Sequence, residues 1–341
     1  YTNMGRAREK SLPVVLVGDI DRGGVLASLF GTWALLDDAD RSLLAGYVIN
    51  KFRGDESVLA PGLEEITRHT GMPSFGVLPW VPEVWLDGED ALEVGRWRHD
   101  GNSVSTDDLR VAVVRLPRIS NATDVDAMAA EAGVDVQVTT NPNTCELADV
   151  LVLPGSRSTV RDLEWLRSTG IAEVVARRAR QGRTVLGICG GYQMLTRLIL
   201  DPEGQESPTE RTEGLGLLPV EVTFGADKTL AIPSGSWRGI EVGGYEIHHG
   251  RMDVDLSAGE PFLDGVRVGS VWGTMWHGAF ECDDFRRAWL AEAAEHAGSA
   301  WRPVEGAIGY GQRREQMIDV LADAVEEHLG LDRLFSLAGG S

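Results

Sequence analysis

The sequence predicts an α/β protein of two successive domains, each a three-layer sandwich with a mainly parallel sheet between helices. Four observations carry that expectation. Short apolar runs alternate with helix-length stretches in two separate blocks. In the first block the runs are nearly continuous in apolar residues, as in strands covered on both faces. A segment rich in charge, Gly and Ser at 87–108 breaks the alternation between the blocks. The 341 residues leave room for about two domains, each with its own core.

In the first block, strands are expected at 13–17, 46–50 and 74–78, and helices at 25–36 and 58–70. Polar stretches follow each strand at its C-terminal edge, the usual ligand side of such sheets. In the second block, strands are expected at 111–114, 134–138 and 149–153. A mostly helical stretch covers 160–180, and a strand covers 184–188. Beyond about residue 203, segments 220–223, 240–242, 245–248 and 270–273 read as antiparallel or mixed strands. Helices at 283–296 and 313–329 close the chain. The domains expected are therefore 1–86, a linker at 87–108, a second domain at 109–331 and a tail at 332–341.

Composition excludes several classes. Hydrophobic residues make up 43% and charged residues 25%, which describes a globular chain. A net charge of −20 speaks against nucleic acid, whose phosphates require a basic surface. No apolar run approaches the roughly 20 residues of a membrane span, and no basic-then-apolar leader is visible. The three cysteines, Cys145, Cys189 and Cys282, are too scattered for a disulfide framework or a zinc site. That usage suits a reducing cytoplasm. None of the three lysines, Lys10, Lys51 and Lys228, stands in a G-x-x-x-x-G-K-[ST] phosphate loop.

Cys189 is the strongest chemical signal. The β-prone run 184–188 leads directly into it, Gly190 and Gly191 follow, and 192–198 reads as helix. A turn of this kind, with small neighbours, pushes a reactive atom clear of the backbone. A sulfur at a helix N-terminus is also favoured as thiolate. A cysteine nucleophile needs a base from elsewhere in the chain. Of seven histidines, His277 stands at the end of a strand-like run, 270–276, before Gly278, and is the candidate. A third segment, Leu153-Pro154-Gly155-Ser156, leaves a strand through a tight turn. Backbone N–H groups of Gly155 and Gly190 would make an oxyanion site, each donor worth about 3 kcal/mol in comparable sites.

These segments add up to a resemblance. The elbow G-I-C-G-G-Y-Q-M-L, the turn L-P-G-S-R-S-T, G-G-Y-E-I-H-H-G (243–250) and W-G-T-M-W-H-G-A-F (272–280) are similar to the amidotransferase half of the cobyric acid synthase family. The first block agrees, with D-I-D-R-G-G-V-L-A-S-L (19–29) and V-I-N-K-F-R-G-D (48–55) resembling the ATP-dependent half. The match runs along essentially the whole chain.

The resemblance implies a partial P-loop, dethiobiotin-synthetase-like domain followed by a class I glutamine amidotransferase domain of flavodoxin-like fold. It implies glutamine- and ATP-dependent amidation of four peripheral carboxylates of adenosylcobyrinic acid a,c-diamide, with Mg2+ accompanying ATP and no tightly bound cofactor. Cys189 and His277 would cleave glutamine. Asp19 and Asp21 would contact Mg2+ or the phosphoryl acceptor, and Asn50, Lys51 and Arg53 the nucleotide. Many amidotransferases carry a glutamate two residues after the histidine; here Ala279 stands there. Glu246 or His248 could orient the imidazole, and each is equally plausible as a structural or glutamine-site residue. The family's phosphate loop would precede Tyr1, so the chain as it stands is expected to cleave glutamine weakly and not to complete amidation. The alternatives are the related cobyrinate a,c-diamide synthase, the amidotransferase subunit of a lipid II amidating pair, and a non-catalytic nucleotide-binding or scaffold protein.

Overall fold

The structure is a computed structural model that describes residues 3–81, 84 and 108–339. Apart from Asp108, the expected linker lies outside the described residues. The chain divides into two compact units, residues 1–86 with 313–341, and residues 87–312.

In the first unit, β1 (Val14–Asp19), β2 (Leu44–Phe52) and β3 (Ser74–Pro79) form a parallel sheet in that order. Residues 46–49 of β2 are buried in succession. Neighbours on a strand point to opposite faces, so both faces of β2 are covered. Helices Val25–Leu35 and Glu56–Thr70 bring Val25, Leu29 and Ile66 into one cluster with Tyr47, Ile49 and Val77. The second of these helices begins where the Asp55 carboxylate accepts the Ser57 N–H, and ends at left-handed Gly71.

Residues 313–341 group with this unit, although the sequence reading assigns 313–331 to the second domain. The Gly330 N–H donates to the Phe75 carbonyl at 2.8 Å, and Leu329 bridges Gly76 at the edge of β3. An apolar stripe identifies a helix without naming the sheet it will cover.

The second unit holds the larger sheet. Its strands in chain order are β4 (Leu109–Val114), β5 (Ile119–Ser120), β6 (Val134–Thr139), β7 (Val150–Leu153), β8 (Gly155–Ser156) and β9 (Thr184–Ile188). There follow β10 (Leu198–Leu200), β11 (Arg211–Glu213), β12 (Val220–Ala231), β13 (Ser234–Trp237), β14 (Ile240–Gly243) and β15 (Glu246–Val254). The last are β16 (Glu260–Phe262), β17 (Gly265–Val268) and β18 (Val271–Thr274). The main sheet runs β6-β4-β7-β9-β18 in parallel, extended antiparallel by β17 and β16. Every residue of β7 and β9 is buried, as a doubly covered sheet requires.

Ranked by chain position, the parallel strands lie in the order 2-1-3-4-5, the flavodoxin-like arrangement. Its switch point falls between β4 and β7. Chain leaving these two strands diverges, opening a crevice at their C-terminal ends.

Two local expectations differ from the structure. The helix expected to run through Leu198 stops at Leu195, because Thr196 turns extended and its hydroxyl donates to the Gln193 carbonyl at 2.7 Å. Leu198–Leu200 is thereby freed to pair in parallel with β12. The stretch 160–180 is two helices, Thr159–Ser168 and Ile171–Arg180, parted at Gly170 with φ +80°.

Candidate active site

Sheet register brings Cys189 and His277 to the same edge. β9 and β18 run side by side with Ile188 opposite Thr274, and the Cys189 N–H donates to the Thr274 carbonyl at 2.8 Å. Cys189 is the first residue beyond β9, and His277 lies just beyond β18, so both emerge from adjacent strand ends.

The backbone at Cys189 has φ 50° and ψ −110°. A residue bearing Cβ pays about 1–3 kcal/mol to stay in such a region. The surroundings hold it there. A Cβ on Gly190 would sit 2.7 Å from the Ser156 nitrogen, and one on Gly191 would strike the Leu153 carbonyl. Only glycines let the elbow press against the turn after β7. The cysteine is buried, 6% exposed, and caps the short helix Gly190–Leu195.

His277 is fully buried. Its Nδ1 lies 2.6 Å from Oδ2 of Asp124, and Oδ1 of the same carboxylate accepts the Gly278 N–H at 2.8 Å. An ionised carboxylate only accepts, so Nδ1 carries the hydrogen. Tyr245 secures the other sides. Its N–H and carbonyl exchange 2.9 Å hydrogen bonds with the main chain of His277, and its ring stacks on the imidazole at 5.3 Å. Burial opposes a charge on the imidazole. The charge and hydrogen bond of Asp124, reinforced by the Cys189 thiol, overcome it and raise the pKa above the ordinary histidine range. Nε2 is buried and makes no hydrogen bond of standard geometry.

Asp124 arrives from the switch point. β5 pairs antiparallel with β8, Ser120 opposite Gly155. Asn121 then turns left-handed at φ 50°, and the 3-10 turn Ala122–Val125 carries Asp124 inward. Gly155 fits tightly here, since a Cβ on it would lie 3.1 Å from His277 Cε1 and 2.8 Å from the Ser120 carbonyl. Thus Cys189, His277, Gly155 and Gly190, four residues singled out from sequence, converge.

Glu246 and His248, the expected orienting candidates, stand differently. The Glu246 carboxylate lies 3.8 Å from Nε2 of His248, and among the described residues neither buried His248 ring nitrogen makes a hydrogen bond of standard geometry. Burial, with the nearby charges of His277 and His249, keeps the His248 pKa below its ordinary value. Among the described residues, the carboxylate at Nδ1 of His277 is Asp124, which sequence reasoning missed. The one signal available was its place in the polar stretch after β4. Ala279, where many relatives of this chemistry place glutamate, is buried in the 3-10 turn Ala279–Glu281.

The first unit also gathers its candidates. Asp19 and Asn50 are register partners at the ends of β1 and β2. Lys51 Nζ donates to Asp19 Oδ2 at 3.0 Å, and its N–H to the Asn50 side chain at 2.9 Å. Arg53 lies 3.4 Å from Asp21 and stacks over Trp80 at 4.1 Å. Burial works against a charge on Asp19. The Lys51 and Asp21 hydrogen bonds and the charges of Lys51 and Arg22 nevertheless hold its pKa below the usual carboxylate value.

A thiolate, an imidazolium and a carboxylate at the far ring nitrogen can perform acyl transfer. The sulfur attacks a carbonyl and the imidazolium gives its proton to a departing amine.

Comparison with known proteins agrees with this chemistry. Residues 110–285 match the family described as the CobB/CobQ-like glutamine amidotransferase domain. The chain is 75% identical to the cobyric acid synthase of Cutibacterium acnes, over 99% of its own length and 70% of that protein. The chain belongs to the cobyric acid synthase family. The family consists of glutamine-hydrolysing ligases of cobalamin biosynthesis. Identity to the cobyric acid synthase of Mycolicibacterium gilvum is 52%, over 99% of this chain and 66% of that relative. The chain therefore spans about two thirds of the relatives it matches. A solved glutamine amidotransferase aligns with 55% of this chain and 98% of its own at 19% identity, with a TM-score of 0.42. No helix among the described residues is long and apolar enough to cross a membrane.

Proposed function

We propose that this chain supplies the ammonia-generating half of a cobyric acid synthase, with Cys189 as nucleophile and His277 as its proton-transfer partner. The supporting observation is the strained elbow at Cys189, on the strand adjoining the one that delivers a buried, carboxylate-held His277. The thiolate attacks the side-chain carbonyl of glutamine, and the N–H groups of Gly155 and Gly190 receive the oxyanion. The imidazolium protonates the nitrogen, the C–N bond breaks and ammonia leaves. Water then hydrolyses the glutamyl thioester to glutamate and regenerates the thiol.

The acceptor in this reading is adenosylcobyrinic acid a,c-diamide, four of whose carboxylates become carboxamides. Family membership implies that full-length enzymes need ATP and Mg2+ to activate those carboxylates. The first unit, read as the dethiobiotin-synthetase-like half, would offer Asn50, Lys51 and Arg53 to nucleotide, and Asp19 and Asp21 to the metal or the acceptor. These residues do not make a Mg2+ site by themselves. Asp19 is neutralised by Lys51, and no three His, Cys, Asp or Glu side chains cluster as metal ligands among the described residues.

A glutamine-analogue electrophile should label Cys189, as read by peptide mass. Labelling at Cys145 or Cys282 instead would remove the case. Incubating full-length protein with ATP, glutamine and either corrinoid separates the two synthases, because mass counts the amide groups added.

A further inference from the structure

We propose that Asp124 is the positioning residue of the Cys189–His277 pair, doing from the switch-point loop what a glutamate after the histidine does elsewhere. The inference rests on the glutamine-cleaving reading above and deepens it.

Three features of the geometry carry it. Both Asp124 oxygens are spent on the histidine segment, one on the ring at 2.6 Å and one on the Gly278 N–H at 2.8 Å, so ring and backbone are fixed together. Asp124 is 3% exposed and His277 fully buried, which denies water any competition for that bond. The position two residues beyond His277 holds the methyl of Ala279, turned into the core and unable to serve. With Nδ1 bound to Asp124, Nε2 is the nitrogen left for the sulfur, and it has no other hydrogen-bond partner among the described residues. Asp124 thus fixes the tautomer and sustains the imidazolium.

The charged and titratable groups around the ring are Asp124 from the turn after β5, Cys189 from the elbow, Tyr245 stacked on one face, and His248 from β15. Burial, with the carboxylates of Asp124 and Glu281, pushes Tyr245 up to about 12, so it stays neutral over the range of interest. His248 is cationic at low pH only, because burial and the charges of His277 and His249 lower its pKa. Asp124 is the anion that holds the ring charged.

The test compares wild type with Asp124→Asn, Asp124→Ala and Asp124→Glu, following glutamine hydrolysis across pH. For Asp124→Asn, kcat should fall about 10²-fold with KM nearly unchanged. The loss is smaller than the ~10⁴ of the serine-protease case, because a thiol ionises far more readily than a hydroxyl. The alkaline limb of the pH–rate profile should move down by about one unit or more, since an imidazole deprived of its carboxylate releases its proton earlier. Asp124→Glu should restore part of the rate and return the limb toward wild type. An unchanged limb and kcat in folded Asp124→Asn, with Cys189 still labelled in wild type, would overturn the role of Asp124 alone. Failure of wild type to label at Cys189 would overturn the parent reading instead. Should the variants not fold, 15N spectra of the wild-type ring decide. A hydrogen on Nδ1 persisting to pH 8 supports the proposal, and a ring protonated only at Nε2 ends it.

Discussion

The two units end their parallel strands in ion pairs of opposite character. In the second, Asp124 and His277 meet at 2.6 Å with almost no exposure, locked by Tyr245 and Gly278. In the first, Lys51 and Asp19 meet at 3.0 Å with side chains 26% and 30% exposed, and Arg53 reaches Asp21 only at 3.4 Å. A buried pair cannot be dissolved by solvent, so its geometry is set before any ligand arrives. The open pairs gain little from their mutual attraction and can exchange partners with an incoming phosphate or carboxylate at small cost. The strand ends thus carry a buried, fixed pair in one unit and solvent-accessible, exchangeable pairs in the other.

Substitutions at the two pairs should separate buried from open chemistry. Cys189→Ser should cut ammonia release from glutamine by roughly 10³-fold or more while leaving the circular dichroism spectrum intact. Residual activity within tenfold of wild type would remove the thiol from the mechanism. His277→Asn should cost nearly as much alone, and combining it with Cys189→Ser should add almost nothing, since the two act as a unit. Full additivity would mean they work separately.

Gly155→Ala is gentler. The new methyl must displace the imidazole or the Ser120 carbonyl, and a shift of that kind costs about 10²-fold in kcat. A normal rate would show that the crowding is relieved elsewhere. The smallest effect belongs to the exposed pair. Asp19→Asn should change unfolding stability by less than about 1 kcal/mol in urea titration. A larger loss would mean that the pair is structural, as fixed in its role as the buried one.

The pattern of apolar runs made most of this architecture legible. β7 and β9 are buried at every position, and apart from Thr184 their sequences are apolar. The elbow was legible because a strand, Gly-rich turn and helix must be adjacent in the chain. His277 was legible from its strand end. Asp124 was not, because it acts on a ring 153 positions away through a contact that only the sheet order creates. The grouping of residues 313–341 escaped for a similar reason: it depends on the Phe75 carbonyl and the edge of β3. The early helix stop at Leu195 depends on one hydroxyl choosing the Gln193 carbonyl, a competition that propensity alone does not rank.

The bend at Cys189, with φ at 50°, also bears on how the protein can change over time. Glycine would occupy that backbone without strain, so a Cys189→Gly chain should melt at a higher temperature than its parent and be catalytically dead. Selection for robustness and selection for turnover therefore pull in opposite directions at a single codon. Gains in heat tolerance must be won at positions remote from the elbow.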